Sequence, residues 1–521
     1  MMNVLFFTNE KWGDKMTGIL AQTRYGIVEG IREGEICIWK GIPYAASPTH
    51  SLRFRAPQPP ESWVGVREAK EFGPAPLQTE SVAMKFLGDS PTNTNEDCLY
   101  LNIWSPGADN QKRPVMVWIH GGSFMYGSGS SHLYNGKSFA EQGDIVMVTI
   151  NYRLGVFGFL HLDDIAGEEY RGSGNCGHLD QVAALRWVKE NIEAFGGDPN
   201  NVTIFGESAG AVSVGNLLSM PSAKGLFHKA ILQSGTARCK VPVEKANEMT
   251  KQLLSELQVD SNDLSELQNI PGETILEAIK IFPRTAFGTV ADGNVIPEKP
   301  EEVLDEGYAK DIPVIVGTNK DESLLFTHFD PLWNQMDERK LKAFFELSFE
   351  PYWESVSKYV LRDSEVSQTL YEEVMGHYVF TIPAILFSES QAKNGAPVWM
   401  YRFDFESNVF DGGLKAFHAL EIPFVWNTIR NPETETMTGN KPHRFKLAEQ
   451  MHRAWIAFAH HGDPNIEELP NWPKYNLDTR ATMIFNDNNE IVQDPDRQKR
   501  LSWEPVFQKK NVSRRESNAK T

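Results

Sequence analysis

Cysteine is scarce in this 521-residue chain: Cys37, Cys98, Cys176 and Cys239 are its four copies. So few thiols, so far apart, exclude a disulfide framework, and no C-x-x-C or histidine-rich spacing offers a zinc site, so neither metal nor cofactor is expected. The run Val4-Leu5-Phe6-Phe7 is too short for a secretory core, and either Met1 or Met16 can serve as the start. Together these features predict a cytoplasmic protein. No apolar run approaches the roughly 20 residues that span a bilayer. Basic residues are also in deficit, 51 against 69 acidic, for a net charge of −18. That balance argues against nucleic acid and against an anionic membrane surface as partners. Internal repeats, low-complexity tracts and Pro-rich linkers are missing. The two Asn-x-Ser/Thr matches, at Asn201 and Asn511, read as chance.

What the chain does have is apolar material, 41% hydrophobic and 11% aromatic, enough for a large core. Its most informative stretch is Gly206-Glu207-Ser208-Ala209-Gly210. The run Asn201-Val202-Thr203-Ile204-Phe205 before it has strand composition. Ala209 to Leu218 after it lacks proline and mixes small with apolar residues, as a buried helix does. A serine at that corner is a candidate nucleophile, with glycines on both sides easing a sharp strand-to-helix turn. A bare G-x-S-x-G is weak by itself, and a Gly-rich turn with a solvated serine explains it equally well.

Three further segments give it context. Val115-Met116-Val117-Trp118-Ile119 is a strand-like run that ends in His120-Gly121-Gly122-Ser123-Phe124. Acyl transfer develops negative charge on a carbonyl oxygen, and backbone amides aimed at that point stabilise it without reorganising. The amides of Gly122 and Ser123, with that of Ala209, are the candidate donors. Ile312-Pro313-Val314-Ile315-Val316-Gly317 is followed by Asp321 and Glu322, either of which could orient a histidine from beyond a strand's C-terminal end. Val398–Phe403 is followed, after a polar stretch, by His418, the candidate base. Its acid limb is expected at about pH 6–7, where unperturbed histidine titrates. His228, His443, His460 and His461 read as solvated or structural.

Length alone suggests about three or four domains. However, Ser208, the acid and His418 must meet, so residues 1–508 are expected to fold as one unit. Two helices with clear stops support layered α/β architecture. One, after His178, carries Leu179, Val182, Leu185, Val188, Ile192 and Phe195 on one face and stops at Gly196-Gly197-Asp198-Pro199. The other carries Leu447, Met451, Trp455 and Phe458 and stops at Gly462-Asp463-Pro464. A helix-rich insertion at about 330–395 is expected over the pocket, and 509–521 reads as a basic, disordered tail.

Over about Thr23 to Trp503 the chain resembles the type-B carboxylesterases, the carboxylesterase/lipase or cholinesterase-like family, and within it the bacterial para-nitrobenzyl-esterase-like branch. The residues that carry the resemblance include Gly41-Ile42-Pro43-Tyr44-Ala45, Glu96-Asp97-Cys98-Leu99-Tyr100-Leu101-Asn102 and Asn151-Tyr152-Arg153. Added to these are the two Gly-rich motifs, Gln233-Ser234-Gly235, Asn319-Lys320-Asp321-Glu322 and Ala416-Phe417-His418. The resemblance implies an α/β-hydrolase fold with a large, mostly parallel sheet, and a cofactor-free serine esterase acting on small to medium carboxylic esters through an acyl-enzyme. It selects Glu322 over Asp321, puts Ser213 near the acid, and places Phe287 by the acyl pocket. Secreted relatives pair the cysteine matching Cys98 with one upstream, which the segment 73–78 lacks. Ser123 stands where glycine or alanine is usual and is expected to narrow the alcohol side of the pocket, and Ser323 replaces a common glycine. No tryptophan lies between Trp63 and Asn102 to form the cation–π platform of cholinesterases. A non-catalytic cholinesterase-like binding protein and a lipase acting on longer acyl esters are the alternatives, and monomer and homodimer stay equally open.

Overall fold

The strands at the centre of the molecule are near-continuous apolar runs, because helices cover both of their faces. All seven residues of Arg113–Ile119 are buried. In the computed structural model, which describes residues 18–260, 263–283, 286–350, 352–362 and 364–518, these runs build one 13-stranded sheet. Val146–Ile150, Arg113–Ile119, Gly197–Glu207, Lys229–Gln233, Val314–Asn319, Val398–Phe403 and Ala481–Phe485 lie side by side and parallel. Antiparallel strands extend both edges: Tyr100–Ser105, Ile36–Pro43, Ile27–Glu33 and Ile19–Gln22 on one side, Glu490–Gln493 on the other.

Alternate residues of each strand point to opposite faces, so the sheet divides the interior into two cores. Val115, Val117 and Ile119 belong to one, and Met116 and Trp118 to the other. Helices Cys176–Asn191 and Ala209–Ser219 cover the first face with Val182, Leu185, Val188, Val212 and Leu217. Helix Arg444–His461 covers the second with Leu447, Met451, Trp455 and Phe458. Both helices expected from periodicity are thus present with their apolar faces on the sheet, and the aromatic stripe is core.

One boundary differs from expectation. A helix, Arg497–Asn518, occupies most of the stretch read as a disordered tail. Its start is anchored by the buried Trp503 and Val506, and no glycine interrupts the residues after this anchor, so the helix runs on past it. The segment at about 330–395 does form helices, among them Glu338–Ser348, Gln368–Gly376 and Ile382–Lys393. The Val4–Phe7 run, Met16 and the last three residues, 519–521, lie outside the described residues.

One buried ion pair ties the first face together. Arg153 Nη2 and Nε donate to Asp180 at 2.6 and 2.8 Å, the Arg153 amide adds a third bond at 3.0 Å, and Nη1 donates to the Arg55 carbonyl at 2.8 Å. The pair locks the loop after Val146–Ile150 to helix Cys176–Asn191. The next residue of that helix, Gln181, donates to Ser213 of helix Ala209–Ser219 at 2.9 Å. Both charges are almost wholly buried, so removing one partner strands the other in a dry site. Asp180→Ala is therefore expected to lower unfolding free energy by about 3–5 kcal/mol, read from the urea midpoint. A loss below about 1 kcal/mol would mean the guanidinium finds other partners.

Candidate active site

Parallel strands all end at the same edge of the sheet, and the loops that leave those ends converge there. Four of them bring the residues singled out in the sequence to one place. Strand Gly197–Glu207 turns directly into helix Ala209–Ser219, and Ser208 alone makes the corner, with φ 55° and ψ −121°. The strain sits on the serine and not on its glycine neighbours. What those glycines allow is close packing: a Cβ on Gly206 would lie 2.6 Å from the Ile119 carbonyl oxygen, and one on Gly210 2.0 Å from it. The Ser208 amide donates to the Gln233 carbonyl at 2.8 Å and its carbonyl accepts from Val212 at 2.9 Å, so the unusual backbone is held on both sides.

The loop after Arg113–Ile119 passes beside this corner. A Cβ on Gly121 would be 3.2 Å from that of Ser208, so only glycine lets the two segments approach this closely. Gly122, Ser123 and Phe124 then follow with φ of 101°, 59° and 65°, three successive left-handed residues that turn the chain back beneath the cavity. Ser123 holds this conformation despite its Cβ. Among the described residues, the amides of Gly122, Ser123 and Ala209 make no hydrogen bond within the protein, which leaves all three available as donors.

Strand Val314–Asn319 delivers the acids and the loop after Val398–Phe403 delivers the histidine. His418 Nδ1 lies 2.6 Å from Glu322 Oε2, with both side chains buried. The Asn319 amide donates to Glu322 Oε1 at 2.8 Å, fixing the carboxylate. Asp321 has a different task. Its amide donates to the Ala416 carbonyl at 3.0 Å, and its carboxylate accepts from the Ala416 amide at 3.3 Å. It thereby pins the loop two residues before His418. Of the two acids that the local pattern leaves equal, it is Glu322, the one the resemblance selects, whose carboxylate reaches the imidazole.

Two carboxylates that the sequence reading missed complete the surroundings. Glu207 Oε1 stands 3.0 Å from His418 Nε2. Glu421, fully buried, accepts from Gln233 Nε2 at 3.1 Å and from Asn319 Nδ2 at 2.7 Å. Burial by itself disfavours a charged imidazole, but Glu207 first, then Glu322 and Glu421, outweigh it and push His418 up to about 9. Burial pushes Glu207 up to about 8, with His418 working against that shift. The ordinary histidine value expected from the sequence did not include Glu207, the charge beside Nε2. Position gave a usable signal: the residue before an elbow serine ends the strand at the same edge. Glu421 carried no such signal, since a glutamate near an Ile-Pro turn is ordinary.

Two expected placements are not met. Ser213 bonds to Gln181 and not to the acid, because its side of helix Ala209–Ser219 faces helix Cys176–Asn191. Phe287 does not line the cavity that holds Ser208. Its ring packs 5.5 Å from that of Phe282 within the core, and an approximate position in the chain does not set a side chain's direction. The cavity itself measures about 180 Å³ and joins Ser208, His418, Glu207, Gly122 and Ser123 to apolar walls from Met84, Leu87, Leu133, Leu325, Phe326 and Ile422. No described residue of the 330–395 segment lines it. That segment instead backs the site, with Phe380 4.8 Å from the His418 ring. Among the described residues no cluster of His, Cys, Asp and Glu is arranged to hold a metal, and no helix is long and apolar enough to cross a membrane.

Comparison with known proteins gives the arrangement its setting. Residues 18–503 match the model of the carboxylesterase family. The chain is 41% identical over 500 residues to the para-nitrobenzyl esterase of Bacillus subtilis (strain 168), covering 94% of this chain and 99% of that one. It is 36% identical to the phenmedipham hydrolase of Pseudarthrobacter oxydans, over 92% of this chain and 97% of the relative. The crystal structure of the Geobacillus stearothermophilus carboxylesterase EST55 superposes with a TM-score of 0.85 at 45% identity, covering 93% of this chain and all of that one. The α/β-hydrolase fold and the match along nearly the whole chain lead to one conclusion: this protein belongs to the carboxylesterase family and is a carboxylic-ester hydrolase.

Proposed function

We propose that Ser208, His418 and Glu322 carry out the hydrolysis of small to medium carboxylic esters, with the amides of Gly122, Ser123 and Ala209 as the oxyanion hole. The observation that carries this reading is a serine at a strained strand-to-helix corner, sharing a cavity with an imidazole whose far nitrogen is 2.6 Å from a buried carboxylate. His418 Nε2 takes the Ser208 proton as Oγ attacks the ester carbonyl, and the three amides receive the oxyanion. Collapse breaks the bond to the alcohol oxygen, which leaves with the proton from Nε2. Water then repeats the sequence on the acyl-serine and releases the acid. Glu322 keeps Nδ1 protonated and stabilises the imidazolium. A cavity of about 180 Å³ with mostly apolar walls suits small acyl and alcohol groups. The four cysteines are all unpaired, which supports the reading of a reducing, cytoplasmic setting.

Ser208→Ala is expected to lower kcat for 4-nitrophenyl butyrate by at least about a thousandfold in a folded protein, because binding and the oxyanion amides survive it. A phosphonate inhibitor should add one group to Ser208 by mass. Labelling at another residue would refute the assignment.

Glu322→Gln should lose orders of magnitude in kcat, whereas Asp321→Asn, which keeps the loop contact to Ala416 sterically possible, should lose much less. The reverse order would transfer the acid's role to Asp321.

His418 must be neutral to accept the serine proton, and a raised pKa means that the neutral form appears only at higher pH. The acid limb of kcat/KM should accordingly lie above the ordinary histidine value of about 6.5. Nε2 and Glu207 are close enough to titrate as a pair. Glu207→Gln removes the strongest of the charges that raise His418 and should move the limb about one unit lower. An unmoved limb would show that Glu207 does not set the base's pKa.

A further inference from the structure

Asp89 is the buried charge that this mechanism leaves unused. It is 3% exposed, and its Oδ2 has no hydrogen-bond partner. It sits in the wall of the cavity that contains Ser208 and His418. The backbone is built to hold it there. Helix Val82–Phe86 ends in two crossed bonds, Gly88 N–H to the Lys85 carbonyl at 3.1 Å and Asp89 N–H to the Met84 carbonyl at 2.8 Å. This closure requires the left-handed φ of 77° at Gly88 and aims the next residue inward. On the far side, a Cβ on Gly127 would lie 3.2 Å from Asp89 Oδ2, so the absence of a side chain there leaves the carboxylate its space. Among the described residues no cation pairs with it. Its imidazole neighbour His120 is kept neutral by burial, its pKa lowered to about 4.

Asp89 also lines a second, more polar cavity of about 340 Å³ bordered by Gln78, Thr79, Glu80, Thr92 and Thr94. Ser81, Met84 and Tyr126 border both cavities. The carboxylate thus stands where the apolar chamber around the nucleophile meets a polar chamber that carries a second acid and no basic side chain. The Ser128 amide reaches the Asp89 carboxylate but leaves Oδ2 unpaired, which is costly in a buried site, and a ligand that supplies an N–H⁺ donor lowers that cost. His418, which must hand a proton to the alcohol oxygen, lines the same cavity as Asp89, so the candidate partner of the carboxylate is an amine carried on the alcohol half.

We propose that Asp89 is a specificity-determining residue that binds a protonated amine carried on the alcohol portion of the ester, so that aminoalkyl esters are favoured over neutral esters of the same shape. This rests on Ser208 and His418 acting as nucleophile and base. The chain's net charge of −18 works in the same direction, by attracting cationic substrates.

The test uses the full-length protein at about pH 7, where a tertiary amine is protonated. Two esters of matched shape are compared, 2-(dimethylamino)ethyl butyrate and 3-methylbutyl butyrate, each followed by acid release. The ratio of their kcat/KM values is expected to favour the amine by about tenfold or more, the worth of one charge-assisted hydrogen bond, and to fall to near one in Asp89→Asn and in Asp89→Ser. A ratio at or below one in the unaltered protein overturns the proposal, as does a preference that survives both substitutions. Hydrolysis of 4-nitrophenyl butyrate that depends on Ser208 is measured alongside. If it is present while the ratio is flat, the amine subsite alone is wrong; if it is absent, the nucleophile assignment fails first.

Discussion

The site depends on a backbone held where a non-glycine residue rarely goes. Ser208 leaves strand Gly197–Glu207 at φ 55° and enters helix Ala209–Ser219 without a connecting loop. A conformation of this kind costs about 1–3 kcal/mol and persists only if its neighbours leave no alternative. Here they leave none. The strand is paired on both sides by parallel neighbours, the helix is wholly buried, and two glycines let the corner press against Ile119. The same geometry leaves the first amides of the helix unpaired, and so one constraint both turns Ser208 toward the cavity and leaves the Ala209 amide free beside it.

Electrostatics impose a second condition. Glu207, Glu322 and Glu421 are buried around a single imidazole, and one positive charge cannot neutralise three carboxylates. The protein resolves this by giving each acid a different environment. Glu322 has an amide and the imidazole, and Glu421 has two side-chain amides. Glu207 has the far side of the histidine, whose charge works against the upward push of burial on its carboxyl. The burial that makes the carboxylates expensive also strengthens their hold on His418, which is why its imidazole is pushed upward. Asp89 meets the same desolvation beside a histidine that burial keeps neutral, and burial raises it to about 7 against the opposing Ser128 amide.

The elements were legible in the sequence to the extent that local pattern decides them. The apolar runs at Val115, Val314 and Val398 became parallel strands, and the helix faces at Val182 and Met451 were buried as their spacing required. Polar composition says little about the tail, because the helix that runs into it is anchored earlier, by Trp503 and Val506. Ser213 and Phe287 were misplaced for a related reason: each lies near the site in sequence order, but each turns toward a core neighbour.

By itself the sequence determined the family resemblance, the order of nucleophile, acid and histidine, and the strand-to-helix corner at Ser208, because motifs and short-range periodicity are local properties of the chain. Only the tertiary structure shows the separate contacts of Asp321 and Glu322, one on the Ala416 amide and the other on the His418 imidazole, because their side chains leave adjacent residues in different directions. It alone placed Glu207 against Nε2 and Asp89 in the cavity wall. Those relations join segments as much as about 300 residues apart, and they depend on burial and direction, which arise only when the sheet brings its strand ends together.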